Sequence, residues 1–283
     1  MPRKKQDSPY PVLPTKYGAK AQYPERPDDS PLLDKEGKHF IQRVNGKFLY
    51  LGRAVDLTIL AAISTLASQQ AAPTEETARR AQQLLDYLAT QEEAVLTYRA
   101  SNMMLAVHSD ASYLSERAAR SRVGGHFFLS KDDPIPPDNG AILTVSTIIK
   151  AVMTSAAEAE LGGLFINARE SVHIRKILEA MGHAQPRTPI QTDNSTAEGI
   201  INNKILPSAT KAMDMRFHWL RCREAQKQFR FFWRPGPTNK GDYPSKHHPG
   251  VHHRNVRPDF LTPQKYLADF RERLARKNTV LAQ

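Results

Sequence analysis

The order of strand-like and helix-like segments between residues 103 and 233 constrains this chain most. Met103 to Asp110 is a short apolar run suited to a buried strand. Arg122-Val123-Gly124-Gly125-His126-Phe127-Phe128-Leu129 forms a second, and Ala141 to Ile149, rich in β-branched residues, a third. Ser155 to Gly182 reads as a helix with Leu161, Leu164, Phe165 and Ala168 on one side and a break near Arg169-Glu170-Ser171. Thr188 to Asp193 is a fourth strand, Ser195 to Asn203 a short helix, Lys211 to Gln226 a longer one and Phe229 to Trp233 a fifth strand. Three strands, helix, strand, helix, strand is a mixed α/β layout.

The flanks differ in character. Residues 1–45, rich in Pro, Lys and Asp, read as an extended N-terminal arm. Residues 46–97 read as a helical hairpin, with Val55, Ile59, Ile63 and Leu66 on one helix face and Ala78, Ala81, Leu85 and Leu88 on the next. Pro73-Thr74-Glu75-Glu76 supplies a stop, an N-cap and first-turn acids for that second helix. The α/β part spans 98–245, and 246–283 reads as a basic, His-rich tail with a C-terminal helix starting at Thr262-Pro263.

With 283 residues, 40% of them hydrophobic, the chain can build a sizeable core. Its 40 Lys+Arg against 29 Asp+Glu leave a net charge of +11, which favours a polyanionic partner such as nucleic acid. Cys222 is the single cysteine, so no intramolecular disulfide and no cysteine-based zinc site can form. That places the chain inside the cell, and Cys222 reads as a small buried apolar residue. The window Leu57 to Ala67 is too short to cross a bilayer, and Met1-Pro2-Arg3-Lys4-Lys5 leads into no apolar run, so no membrane role is expected. His247, His248, His252 and His253 invite a zinc reading, but the absence of cysteine and the intervening Pro249-Gly250 favour a solvated or phosphate-contacting tail.

Four carboxylates stand in distinctive settings: Asp110 in His108-Ser109-Asp110-Ala111, Glu160 in Glu158-Ala159-Glu160-Leu161, Asp193 in Thr192-Asp193-Asn194, and Asp242 in Asn239-Lys240-Gly241-Asp242. Hard divalent cations take oxygen ligands, and a fold can gather these from several elements. If the four meet in space, the chain is a metal-dependent phosphodiesterase.

These motifs, in order, resemble the C-terminal part of the polymerase polyprotein of copia-type LTR retrotransposons: the connection after the reverse transcriptase, then the ribonuclease H domain. The matching stretches run from Pro73-Thr74 and Leu85-Asp86-Tyr87-Leu88 through Leu96-Thr97-Tyr98, Ser109-Asp110-Ala111 and Arg120-Ser121-Arg122. They continue with Glu158-Ala159-Glu160-Leu161, Thr192-Asp193-Asn194, Thr210 to His218, and Asn239 to Lys246. The resemblance implies a ribonuclease H-like fold, a mixed five-stranded sheet flanked by helices. It implies that Asp110, Glu160, Asp193 and Asp242 bind two Mg²⁺ ions, replaceable by Mn²⁺, which activate water and stabilise the departing 3′-oxygen. The substrate would be the RNA strand of an RNA–DNA hybrid. The partner would be the reverse transcriptase of the same polyprotein, in a cytoplasmic retroelement particle or in the nucleus.

Alternatives stand beside each assignment. Glu158 competes with Glu160, since residues two apart on a helix face different ways. Asn194 either contacts substrate or caps the next helix. Lys211, Arg216, Arg221 and Arg223 either line the hybrid or form the solvated face of a helix, and Arg234 is a further expected nucleic-acid contact. Where related enzymes place a histidine before the fourth carboxylate, the sequence reads Trp233-Arg234-Pro235-Gly236, and no Tyr-x-Asp-Asp polymerase signature occurs. These departures motivate a second reading, a catalytically inactive nucleic-acid-binding or connection module. A DNA strand-transferase or resolvase on the same fold is a third.

Overall fold

The computed structural model describes residues 4–12, 28–91, 93–203 and 215–263. Asp34 opens the first helix by accepting a hydrogen bond from the Gly37 N–H at 2.8 Å, satisfying a donor that a helix start leaves open. Helix α1 (Lys35–Ala54) buries Ile41 and Val44 and packs Phe48 and Leu51 against the same cluster. The expected extended arm therefore ends earlier than residue 45. The apolar spacing 41, 44, 48, 51 is helical, but it is interleaved with Lys, Gln, Arg and Asn, which masks it.

The face expected to join Val55 to Ile59 is interrupted. Val55 is exposed, and Asp56 caps a 3-10 turn over Leu57–Ile59 by accepting from the Thr58 N–H at 3.1 Å and from the Thr58 hydroxyl at 2.5 Å. Helix α2 (Leu60–Gln69) and helix α3 (Glu75–Thr90) follow, so three helices stand where a hairpin was expected. Thr74 and Thr77 cap α3 reciprocally, each hydroxyl accepting from the other's backbone N–H. Tyr10 is buried in the same cluster and accepts from Arg80 at 2.6 Å, which ties residues 4–12 to α3.

The central sheet has strands β1 (Met104–Glu116), β2 (Arg120–Ser130), β3 (Ala141–Ile148), β4 (Thr188–Thr192) and β5 (Phe229–Trp233). Its order is β3-β2-β1-β4-β5, antiparallel from β3 to β1 and parallel from β1 to β5. This is the mixed five-stranded sheet of a ribonuclease H-like fold. Strand β1 is central and buried from Met104 to Ala111, which is why it reads as a continuous apolar run rather than an alternation.

On one face Leu105, Val107, Phe127 and Ile190 pack with Leu161, Leu164 and Ala168 of α4 (Ala156–Ala180). Helix α5 (Ser195–Ile201) adds Ile200, and helix α6 (Met215–Ala225) adds Phe217 and Leu220. Each such large side chain, fully buried, contributes roughly 1.5–3 kcal/mol. The expected break near Arg169-Glu170-Ser171 does not occur. Ser171 returns its hydroxyl to the Asn167 carbonyl at 2.8 Å, so its polarity is met inside an unbroken helix. Cys222, expected in the core, is exposed on α6.

The opposite face carries His108, His126 and Phe128, covered by Phe260 at the end of helix α7 (Gly250–Phe260). Leu57, Leu60, Ala141, Tyr243 and Leu261 complete that cluster and join the helical segment to the sheet. The described part of the expected solvated tail is thus packed structure. His253 lies buried between Tyr87 and Tyr243, bonding both hydroxyls, His248 meets the Tyr243 carbonyl at 3.0 Å, and His247 meets Thr65 at 2.9 Å. Thr262–Pro263, expected to start a helix, instead pairs with Ala94–Val95, and residues 264–283 lie outside the described residues. No described helix is long and apolar enough to cross a membrane.

Candidate active site

In the parallel ladder of β1 and β4, His108 pairs with Gln191. Asp110 and Asp193 each stand two residues further on, so Asp110, midway along β1, lies beside Asp193 at the carboxyl end of β4. That end of an open α/β sheet is where ligand sites form. Glu160 reaches them from α4: its Oε1 accepts from the Ala111 N–H at 3.2 Å and its Oε2 from the Thr192 hydroxyl at 3.4 Å. One oxygen each from Asp110, Glu160 and Asp193 lie within 4.8 Å of one another. All three donors are carboxylate oxygens, a set that fits a hard divalent cation.

The structure separates Glu160 from Glu158. Glu158 turns back to the helix start and accepts from Thr154 N–H at 2.7 Å and Thr154 Oγ1 at 2.5 Å, while Ser155 caps α4.

Asp242 stands beside the three rather than among them. About a third of its side chain is exposed, and its carboxylate is ion-paired with Lys246. Its loop is anchored firmly. Asn239, 4% exposed, donates to the Ser109 carbonyl at 2.8 Å and accepts from the Gly241 N–H at 3.0 Å, and Lys240 N–H donates to His108 Nδ1 at 3.1 Å. A Cβ on Gly124, the residue opposite Asp110 in the ladder, would stand 2.1 Å from the Gly241 carbonyl oxygen. Only glycine lets that loop lie on β2. Asn239 and Gly124 thus position the site, although no role was expected of either; the Asn239–Asp242 motif carried the signal.

Burial, reinforced by the charges of Asp242 and Asp193, pushes the Asp110 carboxyl up to about 6. Burial and then Asp110 and Asp193 hold Glu160 well above the usual carboxylate range, and burial and Asp242 raise Asp193. Burial also holds His108 down at about 4, so it is the neutral acceptor its bond from Lys240 requires. Asp110 and Glu160 are thus held where water scarcely reaches, repelled by each other and by the partly exposed Asp193 and Asp242.

The remaining expected residues fall as follows. Asn194 caps α5, accepting from the Ala197 N–H at 2.9 Å. Arg234 donates its backbone N–H to the Thr192 carbonyl at 3.0 Å, beside Asp193, and Trp233, 47% exposed, donates its indole N–H to the Asp193 carbonyl at 2.9 Å. Arg216 is half-buried on α6, and Lys211 lies outside the described residues. Among the described residues the acidic triad is the metal-donor cluster found, and the paired histidines form none.

No family model matches the chain. Over 138 residues it is 25% identical to the retrovirus-related Pol polyprotein from transposon TNT 1-94 of Nicotiana tabacum, a match covering 49% of this chain and 10% of that polyprotein. The chain therefore spans a small part of that relative's length. Solved structures with similarity include the N-terminal RNase H domain of a Mycobacterium tuberculosis protein, studied as a maltose-binding-protein fusion. It is 12% identical over 56% of this chain and 97% of that one, with a TM-score of 0.33. A foamy viral protease-reverse transcriptase in complex with dsDNA is 14% identical over 72% of this chain and 42% of that one, with a TM-score of 0.39. The resemblance read from the ordered motifs, to the ribonuclease H region of a retrotransposon polyprotein, is borne out.

Proposed function

We propose that this chain hydrolyses the RNA strand of RNA–DNA hybrids as a copia-type retrotransposon ribonuclease H. Asp110, Glu160, Asp193 and Asp242 would hold two Mg²⁺ ions, which Mn²⁺ can replace. Bound there, the metals would lower the pKa of water and offset charge on the departing oxygen. The observation that carries this reading is the convergence of three carboxylates from β1, α4 and the end of β4 at one point, with Asp110 and Glu160 buried and their protons held by burial and mutual repulsion. Such an arrangement costs stability unless a cation is bound, which is the mark of a functional site.

The chain's own residues then have separable tasks. Glu160 spans β1 and β4 and fixes the spacing of the two aspartates. Asn239 and Gly124 hold the Asp242 loop against the sheet. The net charge of +11 draws in the hybrid, with Arg216, Arg234, Lys211 and Asn194 as candidate contacts. The segment expected over 46–97 serves as the connection to a reverse transcriptase in the same polyprotein, in a retroelement particle or the nucleus.

The test is incubation of the purified chain with an end-labelled hybrid in Mg²⁺ or Mn²⁺. Cleavage of the RNA strand that Asp193→Asn abolishes is expected. No cleavage by the wild type, or undiminished cleavage by the variant, sinks the reading. The Trp233-Arg234-Pro235-Gly236 stretch, which holds no histidine, favours the inactive nucleic-acid-binding module as the second reading. In that case the chain binds the hybrid but calorimetry detects no Mg²⁺ or Mn²⁺ binding.

A further inference from the structure

Lys246 closes the Asn239–Lys246 motif. We propose that it is a built-in counter-ion of the carboxylate cluster: its ammonium holds Asp242 beside Asp110 and Asp193 without metal, and competes with a divalent cation for the same negative charge. This rests on the metal-site reading above.

Three observations carry it. Lys246 is ion-paired with Asp242 across the single 3-10 turn Tyr243–Ser245. That turn is fastened to the sheet at two points, Ser112 Oγ donating to the Ser245 carbonyl at 2.6 Å and Ser146 Oγ to the Pro244 carbonyl at 2.8 Å. The lysine is therefore delivered to the cluster by backbone fixed on β1 and β3. Finally, its charge acts on Asp110 and Asp193 as well as on Asp242.

The Lys246 and Asp242 side chains are 42% and 32% exposed, so as an isolated pair four residues apart they would add little and would be indifferent to metal. A counter-ion is different, because a cation near the site opposes the arrival of a second one. Removing its charge should tighten divalent binding on the order of tenfold, while the metal-free cluster, now uncompensated, loosens.

The experiment compares the full chain as wild type, Lys246→Met and Lys246→Arg, by Mg²⁺ calorimetry and by melting in EDTA and in saturating Mg²⁺. Lys246→Met should bind Mg²⁺ on the order of tenfold more tightly. It should melt below wild type in EDTA but match it in Mg²⁺, with Lys246→Arg close to wild type in both. Folding of Lys246→Met only in Mg²⁺ is the same result in stronger form. Unchanged Mg²⁺ affinity, a melting loss equal in EDTA and Mg²⁺, or failure to fold in both overturns the proposal. If wild type binds no Mg²⁺, the metal-site reading fails separately. Melting in EDTA then decides the counter-ion role, a Lys246→Met loss that Lys246→Arg restores upholding it and no loss overturning it.

Discussion

Replacing Asp110 with Asn should make the metal-free protein more stable while abolishing cleavage. The Asp110 carboxyl is 5% exposed and is pushed from 3.8 to about 6 by burial and by Asp242 and Asp193. At about 1.36 kcal/mol for each pH unit, that gap amounts to about 3 kcal/mol of strain in the ionised native state. The sign follows from linkage. Above about pH 3.8 the unfolded carboxyl gives up its proton, whereas the folded one keeps it until about pH 6. The penalty is absent below the first value, grows through the window and is complete above the second. Urea unfolding in EDTA should therefore show Asp110→Asn more stable than wild type by about 2–3 kcal/mol at about pH 7.5, and no more stable at about pH 3.5. No gain at the higher pH, or an equal gain at both, would refute the reasoning, since a charge-independent packing effect carries no such pH signature. Stability gained as activity is lost is the behaviour of a strained functional site.

Other substitutions divide the site from its supports. Glu160→Gln should abolish hybrid cleavage with folding intact. Glu158→Gln should leave the cleavage rate near wild type and cost about 0.5–1 kcal/mol through the weakened helix start, read by kinetics and thermal melting. Gly124→Ala forces a Cβ against the Gly241 backbone, so about 1–3 kcal/mol should be lost and amide exchange at Gly241 should accelerate. Glu116→Ala leaves the fully buried Arg122 without its carboxylate partner at 2.7 Å. Chemical denaturation should register a loss of about 3–5 kcal/mol.

What the sequence alone determined was local. The strand runs at β1, β2 and β3, the Thr74 cap and the apolar face of α4 each depend on residues a few positions apart, so they were legible. The helix from Lys35 was hidden because its apolar positions are few and set among charges. The break expected near Ser171 failed because a serine can bond its own helix. The types and order of the carboxylates were also readable, but not which would meet. The parallel register of β1 and β4 put Asp110 beside Asp193, the crossing of α4 turned Glu160 rather than Glu158 inward, and a loop that only Gly124 admits brought Asp242 and Lys246 alongside. The histidines after Lys246 looked like a solvated tail, because nothing near them in sequence announces Tyr87 or Thr65, their partners in space. Packing between distant segments decided these points. A charge's surroundings, and hence its chemistry, are set by whatever the fold carries next to it.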